Sequence, residues 1–116
     1  MILAGHGVII SRAYDELKEL AEKAQIPVIT TLLGISCFPE DHVLWTGWPG
    51  MHGMAYSSLA LDEADLIIAL GMRFDDRITG NVEKFSPKSS EKFPSILAFT
   101  FDDIRHYFPS FRSLLR

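Results

Sequence analysis

Leu66-Ile67-Ile68-Ala69-Leu70-Gly71-Met72-Arg73-Phe74-Asp75-Asp76-Arg77 is the stretch on which the fold turns. Its first five residues are apolar without interruption. A strand with one wet face would alternate, so this run predicts a strand covered on both faces, as in a parallel sheet with helices on either side. A glycine follows at once, and behind it comes a loop crowded with charge.

Working outward, the same alternation recurs. Ile2-Leu3-Ala4 reads as a short first strand ending at Gly5-His6-Gly7. Ser11 offers an N-cap, and Ser11 to Ala24 reads as one helix. Its apolar positions Ala13, Leu17, Leu20, Ala21 and Ala24 recur at helical spacing. Val28 to Leu32 is a β-branched second strand after Pro27. From Gly34 to Gly53 repeated Gly and Pro break the pattern into a long loop with room for one helical turn. Ala55 to Ala64 reads as a helix packing through Ala55, Leu59 and Ala60. Thr79-Gly80-Asn81 is a turn, residues 87 to 94 are irregular, and Ile96 to Phe101 is a fourth strand ending at Asp102-Asp103. The fold class is α/β: an open parallel sheet with helices on both faces.

Bulk properties set the limits. The 116 residues form a single domain by length, with 47% hydrophobic and 22% charged residues predicting a packed core. A net charge of −4 without a basic run argues against nucleic acid. Cys37 is the one cysteine, so no internal disulfide forms, and a reducing cytoplasmic setting fits. The start has no signal-peptide or transit-peptide pattern, and no window approaches the ~20 apolar residues of a membrane span. A plastid or mitochondrion is the alternative compartment in a eukaryote.

Three glycine-bearing loops, Gly5 to Gly7, Thr31 to Gly34 and Gly71 to Arg77, follow strand ends. In a parallel sheet these lie along one edge, where open α/β sheets bind ligands. A nucleotide-sized crevice is the functional reading, and ordinary strand-to-helix turns are the plainer one. Ile10 occupies the third glycine position of G-x-G-x-x-G, so that fingerprint is incomplete. Backbone N–H groups at Gly5 to Gly7 could still meet a phosphate near the helix start. Arg73 and Arg77 either clamp a pyrophosphate or carboxylate, or pair with Asp75 and Asp76 in a surface loop. Met51-His52-Gly53 could lie over a flat ring, or simply be exposed. His6, His42, His52 and His106 have no metal-ligand spacing. Ser57, Ser58 and Cys37 lack a nucleophile motif and read as solvated helix surface and a small buried residue. No catalytic residue and no metal site are assigned.

Ile2 to Val8, Pro27 to Gly34, Gly50-Met51-His52-Gly53 and Ala64 to Gly80 together resemble, in order, the central domain of the acetolactate synthase large subunit, a thiamine-diphosphate-dependent enzyme. The likeness spans residues 1 to 88, with 89 to 116 a diverged tail. It implies a Rossmann-like, DHS-like FAD/NAD-binding fold. It also implies an enzyme that condenses two pyruvates, or pyruvate with 2-oxobutyrate, in branched-chain amino-acid biosynthesis.

By the same resemblance FAD, without a net redox part, would contact Gly5, His6, Gly7, Thr31, Leu32, Leu33, Gly50, Met51, His52, Gly53, Gly71, Met72, Arg73, Asp75 and Arg77. Asp76 and Arg77 would stand at the mouth of a substrate channel. Thr100 takes the place of the acidic residue that helps hold the flavin ribose. Thiamine diphosphate and magnesium would be bound by domains this chain lacks, so the expectation is a central domain inactive alone, with complementary domains or subunits as partners. Two alternatives accompany it: a stand-alone module for FAD or another adenine dinucleotide, and a non-catalytic fragment completed by a partner chain through Tyr107, Phe108 and Phe111.

Overall fold

The structure, a computed structural model, describes residues 1–73 and 96–99, the last four through their backbone. Strands β1 (Ile2–Ala4), β2 (Val28–Thr30), β3 (Ile67–Leu70) and β4 (Ile96–Phe99) form one parallel sheet in the order β2-β1-β3-β4. Helices α1 (His6–Ser11) and α2 (Tyr14–Ala24) follow β1, and α3 (Ala55–Glu63) precedes β3.

Register explains why the strands read as unbroken apolar runs. Ile2 stands opposite Val28 and Ile68, and Ala4 opposite Thr30 and Leu70. In-register residues share a face while neighbours along a strand alternate. Ile2, Ala4, Val28, Ile68 and Leu70 therefore pack on one face against Val8 of α1, Leu17, Leu20 and Ala21 of α2, and the loop residues Cys37 and Phe38. Leu3, Ile29 and Ile67 pack on the other face with Leu61 of α3. Both faces are covered, so the strand positions are apolar except Thr30, whose hydroxyl has a partner in Trp45.

The single helix expected over Ser11 to Ala24 is two helices. Ser11 is the last residue of α1 rather than an N-cap, and its hydroxyl donates to the Val8 carbonyl. Arg12 turns left-handed, with φ 56°, and its N–H closes α1. The β-branched run Val8-Ile9-Ile10 hid this short helix, because it suits a strand as well. α2 then places Asp15 and Glu16 in its first turn and Lys23 in its last, which suits the helix dipole. Ala24, expected in the core, is exposed. The second strand ends at Thr30, and Leu32–Gly34 is a 3-10 turn.

The packing face expected for α3 is also displaced. Ser57 and Leu61 are its buried residues, while Leu59 is 65% exposed. Ser57 departs from the solvated helix surface that the sequence predicts. It is fully buried because its hydroxyl donates to the Thr46 carbonyl, which removes most of the penalty for burying it.

The loop between Gly34 and Gly53 covers the outer edge of β2. Val28 N–H donates to the Leu44 carbonyl and Thr46 N–H to the Val28 carbonyl, both at 2.8 Å. Thr30 N–H reaches the Gly47 carbonyl at 3.0 Å. An edge strand carries unpaired backbone groups, and this strip satisfies them.

Candidate functional site

In the order β2-β1-β3-β4 the connection reverses direction between β1 and β3, which is where doubly wound sheets bind ligands. The loops leaving those two strands touch. Gly5 N–H donates to the Leu70 carbonyl at 2.9 Å and Gly7 N–H to the Gly71 carbonyl at 2.8 Å. Gly71 adopts φ +57°, and a Cβ there would stand 2.7 Å from the Gly7 Cα. A Cβ on Gly7 would likewise stand 2.6 Å from the Gly71 Cα. The two glycines therefore allow backbone to meet backbone at the switch point.

This geometry changes the reading of the Gly5 to Gly7 turn. The N–H groups of Gly5, Gly7 and Val8 are committed to the carbonyls of Leu70, Gly71 and Gly5. They hold the sheet edge together instead of pointing at a phosphate. The side chains of His6 and Arg73 are exposed at this edge.

The third loop joins from the β2 side. Thr31 is buried, and its N–H donates to the Ala4 carbonyl at 2.8 Å. His6 Nδ1 lies 2.9 Å from the Leu33 carbonyl. A carbonyl only accepts, so Nδ1 carries the proton. This tie between the β1 and β2 loops left no signal in the sequence. Beyond it Leu32 and Leu33 are 59% and 71% exposed, an unusual state for adjacent leucines next to a sheet. Gly5, His6, Gly7, Thr31, Leu32, Leu33, Gly71, Met72 and Arg73 are thus assembled along one edge, as the strand-end argument expects.

Gly50, Met51, His52 and Gly53 stand further out. Gly53 N–H donates to the Gly50 carbonyl at 3.0 Å and Met54 N–H to the Trp48 carbonyl at 2.9 Å, closing a compact turn. The turn follows Gly47, which is bonded to the end of β2 on the side away from β1. Met51 and His52 are exposed. Asp75, Asp76 and Arg77, with Thr79 to Asn81, residues 87 to 94, Thr100 to Asp103, His106 and the tail aromatics, lie outside the described residues.

Among the described residues no group of three or more His, Cys, Asp or Glu could hold a metal ion. Cys37 is buried as expected, and that burial pushes its thiol up to about 12 from an ordinary 9.0. Such a thiol is protonated near neutrality and makes a poor nucleophile. Among the described residues no helix is long and apolar enough to cross a membrane.

Comparison with known proteins gives this edge a context. Residues 1–99 match the model of the thiamine pyrophosphate enzyme central domain. The probable acetolactate synthase large subunit of Methanocaldococcus jannaschii is 54% identical over 89 residues, which is 77% of this chain and 15% of that protein. The acetolactate synthase large subunit of Corynebacterium glutamicum is 49% identical over 87 residues, 75% of this chain and 14% of that one. A crystal structure from Mycobacterium smegmatis, described as that of a thiamin diphosphate-dependent enzyme, superposes with a TM-score of 0.53 at 34% identity. It covers 63% of this chain and 14% of the other. The chain thus spans about one seventh of the length of these relatives. With the family model running from the first strand to the last residue of β4, the chain belongs to the thiamine pyrophosphate enzyme central-domain family.

Proposed function

We propose that this chain serves as the central domain of an acetolactate synthase-type enzyme and holds FAD along the edge where β1 and β3 diverge. The observation that carries this reading is the glycine contact at the switch point, where Gly7 and Gly71 leave no side chain between the loops. Its other supports are the exposed apolar surface of Leu32 and Leu33, suited to a flat ring, and the exposed side chains of His6 and Arg73, suited to a diphosphate. FAD in this role would be a bound structural component without a net redox part. Asp75 and Arg77 would extend the diphosphate contact, and Asp76 with Arg77 would border a substrate channel.

The condensation of two pyruvates, or of pyruvate with 2-oxobutyrate, would then depend on thiamine diphosphate and magnesium held by domains outside this chain. Supporting that division, the matched segment makes up only about one seventh of each relative's length. The exposed Tyr56 and Leu59 on α3 favour docking against such domains.

Adding the purified chain to a fixed amount of FAD tests the binding claim. Saturable quenching or polarisation of flavin fluorescence is expected, and no saturation would remove it. A parallel assay with pyruvate, thiamine diphosphate, magnesium and FAD should give no acetolactate. Turnover by the chain alone would overturn the division of labour.

A further inference from the structure

His42, a titratable side chain away from the candidate edge, is engaged at both ring nitrogens. His42 accepts a hydrogen bond at Nδ1 from its neighbour Leu44 N–H, at 3.1 Å. Its Nε2 lies 3.0 Å from Glu22 Oε1 on α2. Its ring meets Phe38 edge to face, with centroids 5.0 Å apart. These contacts fix the protonation state. An atom that accepts from N–H has no proton, so Nδ1 is bare, and Nε2 carries the hydrogen that it donates to the carboxylate.

We infer that His42 is an acid-sensitive latch for the strip that covers β2. Histidine is the side chain that changes charge between about pH 5 and pH 8. A proton added to His42 can go only to Nδ1. That places an N–H against the Leu44 N–H, and the hydrogen bond is lost. Meanwhile the bond from Nε2 to Glu22 becomes charge-assisted and holds the ring where it is. The ring stays and Leu44 moves.

Leu44 is the residue whose carbonyl receives Val28 N–H, and Trp45 N–H donates to the His42 carbonyl beside it at 2.9 Å. The opening therefore begins at the first rung of the strip and runs toward Thr46 and Gly47, which bond to Val28 and Thr30. Charged groups surround the ring. From α2 they are Glu22 and Lys18, the latter 3.9 Å from the same Glu22 oxygen. In the loop itself Glu40 and Asp41 precede His42 in sequence and are exposed, and β2 carries no charged residue.

Amide exchange of the full chain, followed residue by residue by NMR from about pH 8 to about pH 5 and corrected for intrinsic rates, tests the latch. Leu44 should lose about tenfold of its protection as the His42 ring titrates, roughly one ordinary hydrogen bond, while Leu17 and Leu20 on α2 hold theirs. His42→Asn, whose side-chain carbonyl accepts at every pH, should abolish the step. Glu22→Gln leaves Nδ1 facing Leu44 N–H and should keep the step, which provides a second reading if the first variant folds poorly. Leu44 protection that does not follow the ring titration, or a step that survives His42→Asn, would overturn the latch.

Discussion

The junction between β1 and β3 and the outer edge of β2 solve the same problem with opposite materials. At the junction Gly7 and Gly71 bring backbone against backbone, with Gly5 beside Gly71 and Met72. At the outer edge a strip of loop is held by side chains. Ser57 donates to the Thr46 carbonyl, Trp45 Nε1–H donates to Thr30 Oγ1 at 3.2 Å, and His42 accepts from Leu44 N–H. A backbone contact has no rotamers with which to absorb an added atom. A side-chain contact can be weakened by degrees and can change with pH. The difference teaches where the molecule is intolerant of change and where it is adjustable.

The largest effect should come from breaking the junction. Gly71→Ala combines a left-handed backbone with a Cβ 2.7 Å from the Gly7 Cα. A loss of about 2–4 kcal/mol in urea unfolding is expected, from strain and overpacking together. Stability within error of the parent would show that the loops can move apart. Ser57→Ala at the other edge should lose about 1–3 kcal/mol, because the Thr46 carbonyl loses its donor. Thr30→Val keeps the buried shape and removes only the acceptor for Trp45, so roughly 1 kcal/mol is expected, with a shift in tryptophan emission.

Cys37, beneath the strip, supplies a pH-dependent comparison. Its folded thiol keeps its proton where the unfolded thiol loses it. Its contribution to stability is therefore complete below pH 9.0 and declines until about pH 12. Urea midpoints should fall more steeply with pH over that window in the parent than in Cys37→Ala. Parallel slopes would contradict this. The smallest effect on folding should come from Leu33→Ala at the candidate edge, within about 0.5 kcal/mol for so exposed a residue. A clear loss of FAD affinity should accompany it.

Much of this was legible in the sequence because it rests on local patterns. Leu66 to Leu70 announced a strand covered on both faces, and Ile67–Leu70 is one. Glycines at strand ends announced an edge, and the Gly5 and Gly71 loops meet there. What escaped reading depends on contacts between distant residues. Ser57 looked like surface until Thr46 supplied an acceptor across the loop. α1 was hidden because Val8-Ile9-Ile10 has no helical periodicity, and α3 was misphased because apolar residues lie all around it. The Gly5 and Gly7 N–H groups read as available for a phosphate, and only the neighbouring strand end shows that these two are taken.

The most direct measurement is an NMR titration of the isotopically labelled full chain with FAD. Shifts concentrated at Gly5 to Val8, Thr31 to Gly34 and Gly71 to Arg73, with Leu44 and Thr46 little moved, are the predicted result. Saturable shifts centred elsewhere, or none at all, would contradict a ligand-binding edge at the β1–β3 junction.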